Sequence, residues 1–320
     1  MISETELIER FFRGLGAPRE DVVLGIGDDA ALLRVAPGEE LVLTTDALVE
    51  GVHFLPGAPA DSLGHRALAV NLSDIAAMGG SARWALLSLN LPQADGQWLG
   101  AFAHGFGALA RQHAVALVGG NLSRGPLAIT VQMAGVVPEG QALRRDGARP
   151  GHALYVSGSL GDAAAGLKVV RGELQPAAGT ADFLRHRFEY PQPRLALGVA
   201  LRGLASACID VSDGLYVDAQ RLLRASGCAA RISLESLPLS AALRQSVGDA
   251  AWQQALDGGE DYELCFSAPA SCAAAIEAAA TRSATTVTRI GAIEAGGGIE
   301  LQSGNSVMQF SALGFDHFRD

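Results

Sequence analysis

Residues 40–54, ELVLTTDALVEGVHF, hold an apolar run broken at its middle by Thr44, Thr45 and Asp46. A carboxylate seldom occupies such a place unless it is paired, hydrogen-bonded or bound to a cation. The pattern recurs outward in both directions. Upstream, DVVLGIGDDAALLRV (21–35) reads as a strand, a Gly-acidic turn bearing Asp28 and Asp29, and a second strand. Residues 3–13 read as a helix that Ser3 caps, with Glu6 completing a capping box. Downstream, SLGHRALAVNLSDIAAMGG (62–80) has helical spacing, with Leu63, Ala67, Val70 and Asp74 along one stripe. A strand at 82–92, a helix at 97–114 and a strand–turn–strand at 115–138 follow, the last carrying Gly120 and Asn121.

Pro150-Gly151 is a turn signal at which the organisation changes, so domains at 1–148 and 149–320 are expected. The second half holds a Gly-rich turn into a helix (157–170) and a proline-started helix (191–204). A strand–turn–helix, CIDVSDGLYVDAQRLLRAS (208–226), and a turn and strand, GGEDYELCFSAP (258–269), come next. Alternating strands and helices predict two domains of the α/β (α+β) class, mixing helices with sheets. The GSLGDAAAG segment (158–166) reads equally as a phosphate cradle at a helix N-terminus or as a tight turn packed on its helix.

Composition narrows the function. A net charge of -10 excludes a general nucleic-acid binder, which needs a cationic footprint. Lys168 is the sole lysine, set in a helical stretch, so neither a P-loop nor a protein-kinase strand lysine is present. Phosphate handling must then use metal ions, arginines and backbone amides. The start lacks a basic, apolar signal sequence, and no run approaches a membrane span, so a cytoplasmic protein is expected. Four cysteines without CxxC spacing read as reduced core thiols, and seven histidines without HxH or HExxH spacing argue against zinc.

The polar interruptions form one set: Asp28 and Asp29, Thr44 to Asp46, Asp74, Asn121, Asp210 and Asp213, then Glu260 and Asp261. Singly, each aspartate is as well explained by a turn or a helix cap. Together they make an all-oxygen donor set of the kind Mg²⁺ takes, with ATP phosphates supplying further ligands. Arg144 and Arg145 read either as a solvated pair or as phosphate contacts.

The segments GIGDDAALL, TTDALVEGVHF, ALAVNLSDIAAMG, GGNLSRGPL, IDVSDGL and GGEDYELCF occur in order across nearly the whole chain and precede a closing GFDHF. This series resembles the bacterial thiamine-monophosphate kinases, within the aminoimidazole ribonucleotide synthetase-like superfamily. The resemblance implies an N-terminal mixed α/β domain that binds ATP and magnesium and dimerises through its sheet, followed by a C-terminal α/β domain. It implies Asp29, Thr44, Thr45, Asp46, Asp74, Asn121, Asp210 and Asp213 as magnesium ligands. Gly120, Asn121, Arg145 and Ser212 fall where the family contacts ATP, and His53, Glu260 and Phe315 where it contacts thiamine monophosphate.

The implied reaction is direct, magnesium-assisted transfer of a phosphoryl group from ATP to an acceptor phosphate already ionised at neutral pH, so no general base is expected. One departure stands out: Asn121 replaces the family's usual aspartate, which removes a negative charge from the metal set. A non-catalytic nucleotide-binding regulator of the same fold, or a sister ATP-dependent synthetase, remains the alternative.

Overall fold

The computed structural model describes residues 3–312, which divide into two compact units: 3–75 with 80–140, and 76–79 with 141–312. In the first unit, Ser3 Oγ accepts from the Glu6 amide at 3.2 Å while Glu6 Oε2 accepts from the Ser3 amide at 2.7 Å. That capping box starts α1 (Glu4–Leu7), and a wider π-type turn over Ile8–Phe12 continues it. The strands β1 (Val22–Leu24) and β2 (Leu32–Leu33) pair as a small ribbon around the Gly-acidic turn.

The main sheet of this unit comprises β3 (Glu39–Val49), β4 (Ser81–Leu91), β5 (Ala116–Arg124) and β6 (Ala128–Pro138), in the order β3-β6-β4-β5. Only β4 and β5 run parallel. β3 and β6 pair over their whole length, from Glu39 opposite Pro138 to Val49 opposite Ala128. Two helices, α2 (Ala60–Ala77) and α3 (Gly96–Gln112), supply fully buried Leu68, Leu72, Ile75, Phe102 and Phe106. They approach so closely that a Cβ on Gly64 would lie 2.1 Å from the Phe102 carbonyl oxygen. Asp95 starts α3 by accepting from the amides of Gln97 and Trp98.

Period-two alternation decides what β3 presents to each side. Val42, Thr44, Asp46 and Leu48 are buried or half-buried, whereas Leu41, Leu43, Thr45, Ala47 and Val49 are exposed.

The second unit is built on a seven-stranded sheet. Its strands and helices, in chain order, are β7 (Ala153–Ser157), α4 (Asp162–Val170), α5 (Ala178–Glu189), α6 (Leu195–Ala200), β8 (Ala207–Val211) and α7 (Leu215–Ser226). Then come β9 (Ala229–Ser233), α8 (Ala241–Val247), α9 (Ala251–Asp257), β10 (Glu263–Ala268), α10 (Ala273–Arg282), β11 (Val287–Glu294), β12 (Gly298–Ser303) and β13 (Ser306–Met308). The sheet order is β13-β12-β9-β11-β7-β10-β8, with only β9 and β12 parallel. Every residue of β7, β8 and β10 is buried, so these strands are covered on both faces.

Both units mix helices with sheets, as the α/β (α+β) expectation has it, and the sheets are largely antiparallel. Helix–strand alternation along the chain does not report strand direction, and here long connections return strands antiparallel. The helix expected at 191–204 begins only at Leu195, because Arg194 has φ -91° and ψ 44° and breaks away from the helical conformation.

Candidate functional site

In the first unit the expected site residues fall into two groups, with Thr44 belonging to both. On the buried side, Thr44 Oγ1 donates to Asp74 Oδ2 at 2.5 Å, joining strand β3 to helix α2. Asp46 lies two residues along on the same face of the strand. Asp74 sits on the stripe of α2 that carries buried Leu63, Ala67 and Val70, which is why a carboxylate is found among apolar neighbours. Thr45 points the other way, and its hydroxyl donates to the Val131 carbonyl at 3.1 Å.

The other group borders a cavity of about 1220 Å³ on the open face of the sheet. Asp28 and Asp29, Thr44 and Thr45, Gly120 and Asn121 line it, with Phe12 and Leu86 among its apolar walls. Asn121 stands opposite Ser88 in the β4–β5 register. Gly120 adopts φ 152° with the Leu87 carbonyl where a Cβ would be, so no side chain fits there and the backbone itself meets the cavity. His53 is outside this cavity's lining. Its Nδ1 accepts from the Val49 amide at 3.0 Å, which assigns the ring proton to Nε2.

Among the described residues, no three His, Cys, Asp or Glu side chains converge as one metal-holding group. Mg²⁺ commonly takes only one or two carboxylates and fills its octahedron with water and substrate phosphate. The donors on hand, carboxylates with threonine hydroxyls, are the hard oxygen ligands this ion prefers.

In the second unit, Asp210 is buried on β8 opposite Leu264 of β10. Ser212 and Asp213 form the turn leading into α7, and Gly214 follows with φ 113°. The turn is held from behind by Asp218, a residue the sequence reading did not single out. Asp218 Oδ2 accepts from the amides of Ser212 and Asp213 at 3.0 and 2.9 Å. Burial pushes its carboxyl up to about 6, against the opposing pull of the Asp213 amide. Arg221 Nη1 donates to both Asp213 Oδ2 and Asp218 Oδ1, at 2.5 and 2.7 Å. The signal for Asp218 was present in the sequence: it falls on the stripe of Leu215 and Leu222, where a charge needs a reason.

The GGEDYEL segment wraps against this turn. The Glu260 amide donates to the Ser212 carbonyl at 2.8 Å and the Tyr262 amide to the Val211 carbonyl at 2.9 Å. Gly259, Glu260 and Tyr262 have φ of 66°, 64° and 51°. Left-handed backbone costs a non-glycine residue roughly 1–2 kcal/mol, so the surrounding bonds must enforce it. Asp261, between the two strained residues, is buried and accepts from the Gly161 amide at 2.7 Å and the Ala163 amide at 3.4 Å. Burial pushes its carboxyl up to about 8, with the Gly161 amide acting in the opposite direction.

Those two amides belong to the N-terminus of α4, so a carboxyl group of the chain itself occupies the GSLGDAAAG turn. Its glycines are needed for closeness. A Cβ on Gly158 would lie 2.0 Å from Glu263 Oε1, and one on Gly161 would lie 2.8 Å from the Ala255 amide nitrogen. Of the two readings of that turn, the packed one holds. Glu263 itself is fully buried and accepts from Ser157 Oγ (2.6 Å), Arg194 Nε (2.7 Å), Arg194 Nη2 (2.5 Å) and Arg187 Nη2 (3.1 Å).

Arg144 is exposed and pairs with Asp146 at 2.6 and 2.9 Å, while exposed Arg145 accepts from Ser226 Oγ through its carbonyl at 2.7 Å. Phe315 lies outside the described residues.

Residues 27–137 match the N-terminal domain model, and 149–304 the C-terminal domain model, of AIR synthase related proteins. A thiamine-monophosphate kinase of Salmonella typhimurium is 44% identical over 318 residues, covering 98% of each chain. The crystal structure of thiamine-monophosphate kinase from Stenotrophomonas maltophilia K279a has a TM-score of 0.85 at 46% identity, covering 89% of this chain and 92% of that one. A structure of AaThiL complexed with AMPPCP and TMP has a TM-score of 0.77 at 34% identity, with 92% of each chain covered. Within the AIR synthase related proteins, this chain belongs to the thiamine-monophosphate kinase family.

Proposed function

We propose that this chain transfers the terminal phosphoryl group of ATP to thiamine monophosphate, forming thiamine diphosphate, with Mg²⁺ required. The observation that carries this reading is the 44% identity to a thiamine-monophosphate kinase along 98% of both chains. The AMPPCP and TMP held by the structural relative AaThiL support the same pair of substrates.

The acceptor oxygen is ionised at neutral pH, so the chain has no proton to remove. Its work is to bring two anions together and in line. Asp29, Thr44, Thr45, Asp46, Asp74, Asn121, Asp210 and Asp213 are the residues that would hold magnesium. When bound, the ion neutralises phosphate charge and stabilises the transferring group. Asp74 and Thr44 are already tied by a hydrogen bond, which presets one pair of these oxygens. The backbone at Gly120, with Asn121, Arg145 and Ser212, is assigned to ATP, and His53, Glu260 and Phe315 to the acceptor. Thus 1–148 forms the ATP- and magnesium-binding and dimerisation domain, and 149–320 the C-terminal domain.

A homodimer through the open face of the first unit's sheet fits the exposure of Leu41 (52%), Leu43 (71%) and Leu86 (38%) there. The four cysteines are unpaired thiols, three of them buried, as suits a reducing cytoplasm. No helix among the described residues is long and apolar enough to cross a membrane.

The deciding experiment is phosphoryl transfer from ATP to thiamine monophosphate with and without Mg²⁺, with direct detection of thiamine diphosphate. Magnesium-dependent product is expected. ATP binding without product would refute the reading in favour of a regulator or a sister synthetase.

A further inference from the structure

The side chains of Glu260 and Tyr262 meet although the two residues are only two apart. Tyr262 Oη donates to Glu260 Oε2 at 2.9 Å. Both residues have left-handed backbone, with φ of 64° and 51°, and in that conformation their side chains meet. The loop is fixed on three sides. The Glu260 amide is bonded to Ser212 and the Tyr262 amide to Val211, while buried Asp261 grips the start of α4. Tyr262 is itself 8% exposed, so its ring is packed and its hydroxyl is the part that reaches Glu260. A flexible glutamate gains a defined carboxylate orientation from a rigid phenol at small entropic expense.

We propose that Tyr262 is a positioning residue for the acceptor: through its phenol it holds the Glu260 carboxylate in the orientation that receives the cationic, amino-bearing ring system of thiamine monophosphate. The proposal rests on the assignment of Glu260 to acceptor binding made under the proposed function. Tyr262 acts on the substrate only through Glu260.

The test is Tyr262→Phe, which removes one oxygen and keeps the packed ring, measured beside Glu260→Gln and the double variant. Tyr262→Phe is expected to raise KM for thiamine monophosphate about three- to tenfold, the net effect of losing one ordinary hydrogen bond. KM for ATP and the melting temperature should hold, and kcat should fall by less than KM rises. In the Glu260→Gln background the same change should have at most half that effect, since the orientation of a carboxylate is no longer at stake. Calorimetric binding of thiamine monophosphate in the presence of Mg²⁺ and a non-hydrolysable ATP analogue reads the same shift without turnover. An unchanged KM and Kd in Tyr262→Phe would overturn the proposal, as would an equal effect in both backgrounds. Failure of the unaltered chain to bind or phosphorylate thiamine monophosphate would instead refute the functional reading on which it rests.

Discussion

Replacing Glu263 by alanine should unfasten the second unit. The side chain is fully buried and accepts four hydrogen bonds, three of them from the guanidinium groups of Arg187 and Arg194. Those arginines are only 12% and 16% exposed, so water cannot replace the lost carboxylate well. Stripping one partner from a buried ion pair typically costs about 3–5 kcal/mol, because the remaining charge is left uncompensated. Asp162, 3.8 Å from Arg187 Nε, softens the loss without removing it. A value of about 4 kcal/mol is therefore expected, a large part of the ~5–15 kcal/mol that stabilises a domain. Hydrogen exchange of the amides in β7, β8 and β10 reports this unit separately from the first. A decrease of less than about 1 kcal/mol in their opening free energy would refute the idea that Glu263 is held as a charged, compensated group. The companion triple change, Glu263→Leu with Arg187→Met and Arg194→Met, should be milder than Glu263→Ala, because no buried charge is then left alone.

Asp261→Asn tests the buried cap of α4 through pH. The folded carboxyl titrates at about 8 and the unfolded one near 3.8, so the native state binds the extra proton. Its stabilisation is complete below about pH 4 and is lost as pH rises through 8, at up to about 1.4 kcal/mol per pH unit. Relative to the asparagine variant, the unaltered chain should lose stability across that window, and parallel curves in chemical denaturation would contradict this. Asp74→Asn should lower kcat/KM by roughly 100-fold or more, equivalent to about 2.7 kcal/mol of transition-state stabilisation, with the fold retained by circular dichroism. Activity within threefold of the parent would remove Asp74 from the metal set. Asn121→Asp should lower the Mg²⁺ concentration giving half-maximal turnover, since it restores a charge; an unchanged magnesium titration counts against that role. Leu43→Glu, on the open sheet face, should convert a dimer to a monomer in sedimentation analysis, and an unaltered sedimentation coefficient would place the contact elsewhere.

Much of this chain is written locally. The capping box at Ser3 and Glu6, the apolar stripe of α2 and the strand around Thr44 to Asp46 are properties of a few neighbouring residues, so propensity and period suffice to read them. The acidic interruptions were legible for the same reason, because a carboxylate in an apolar run stands out against its immediate neighbours. Partners distant in sequence were not. Nothing near residue 261 says that its carboxylate caps a helix beginning a hundred residues earlier, or that Glu263 meets Arg187 and Arg194.

Strand direction belongs to the same category. Alternating elements indicated helices mixed with sheets, but register and direction depend on which strands meet, and these sheets are mostly antiparallel. The two faces of β3 show the division most plainly. Sequence placed Thr44, Thr45 and Asp46 together as one polar interruption. Tertiary structure sent Thr44 to Asp74 and Thr45 to the Val131 carbonyl, because a strand alternates its side chains and only packing decides which side is covered. The sequence alone determined those elements that a cap or a period marks, and the oxygen-donor character of the candidate site residues, both short-range matters of spacing and polarity. Which oxygens face one another, and which glycines stand against another strand, had to wait for the packed chain, where distance along the sequence no longer governs contact.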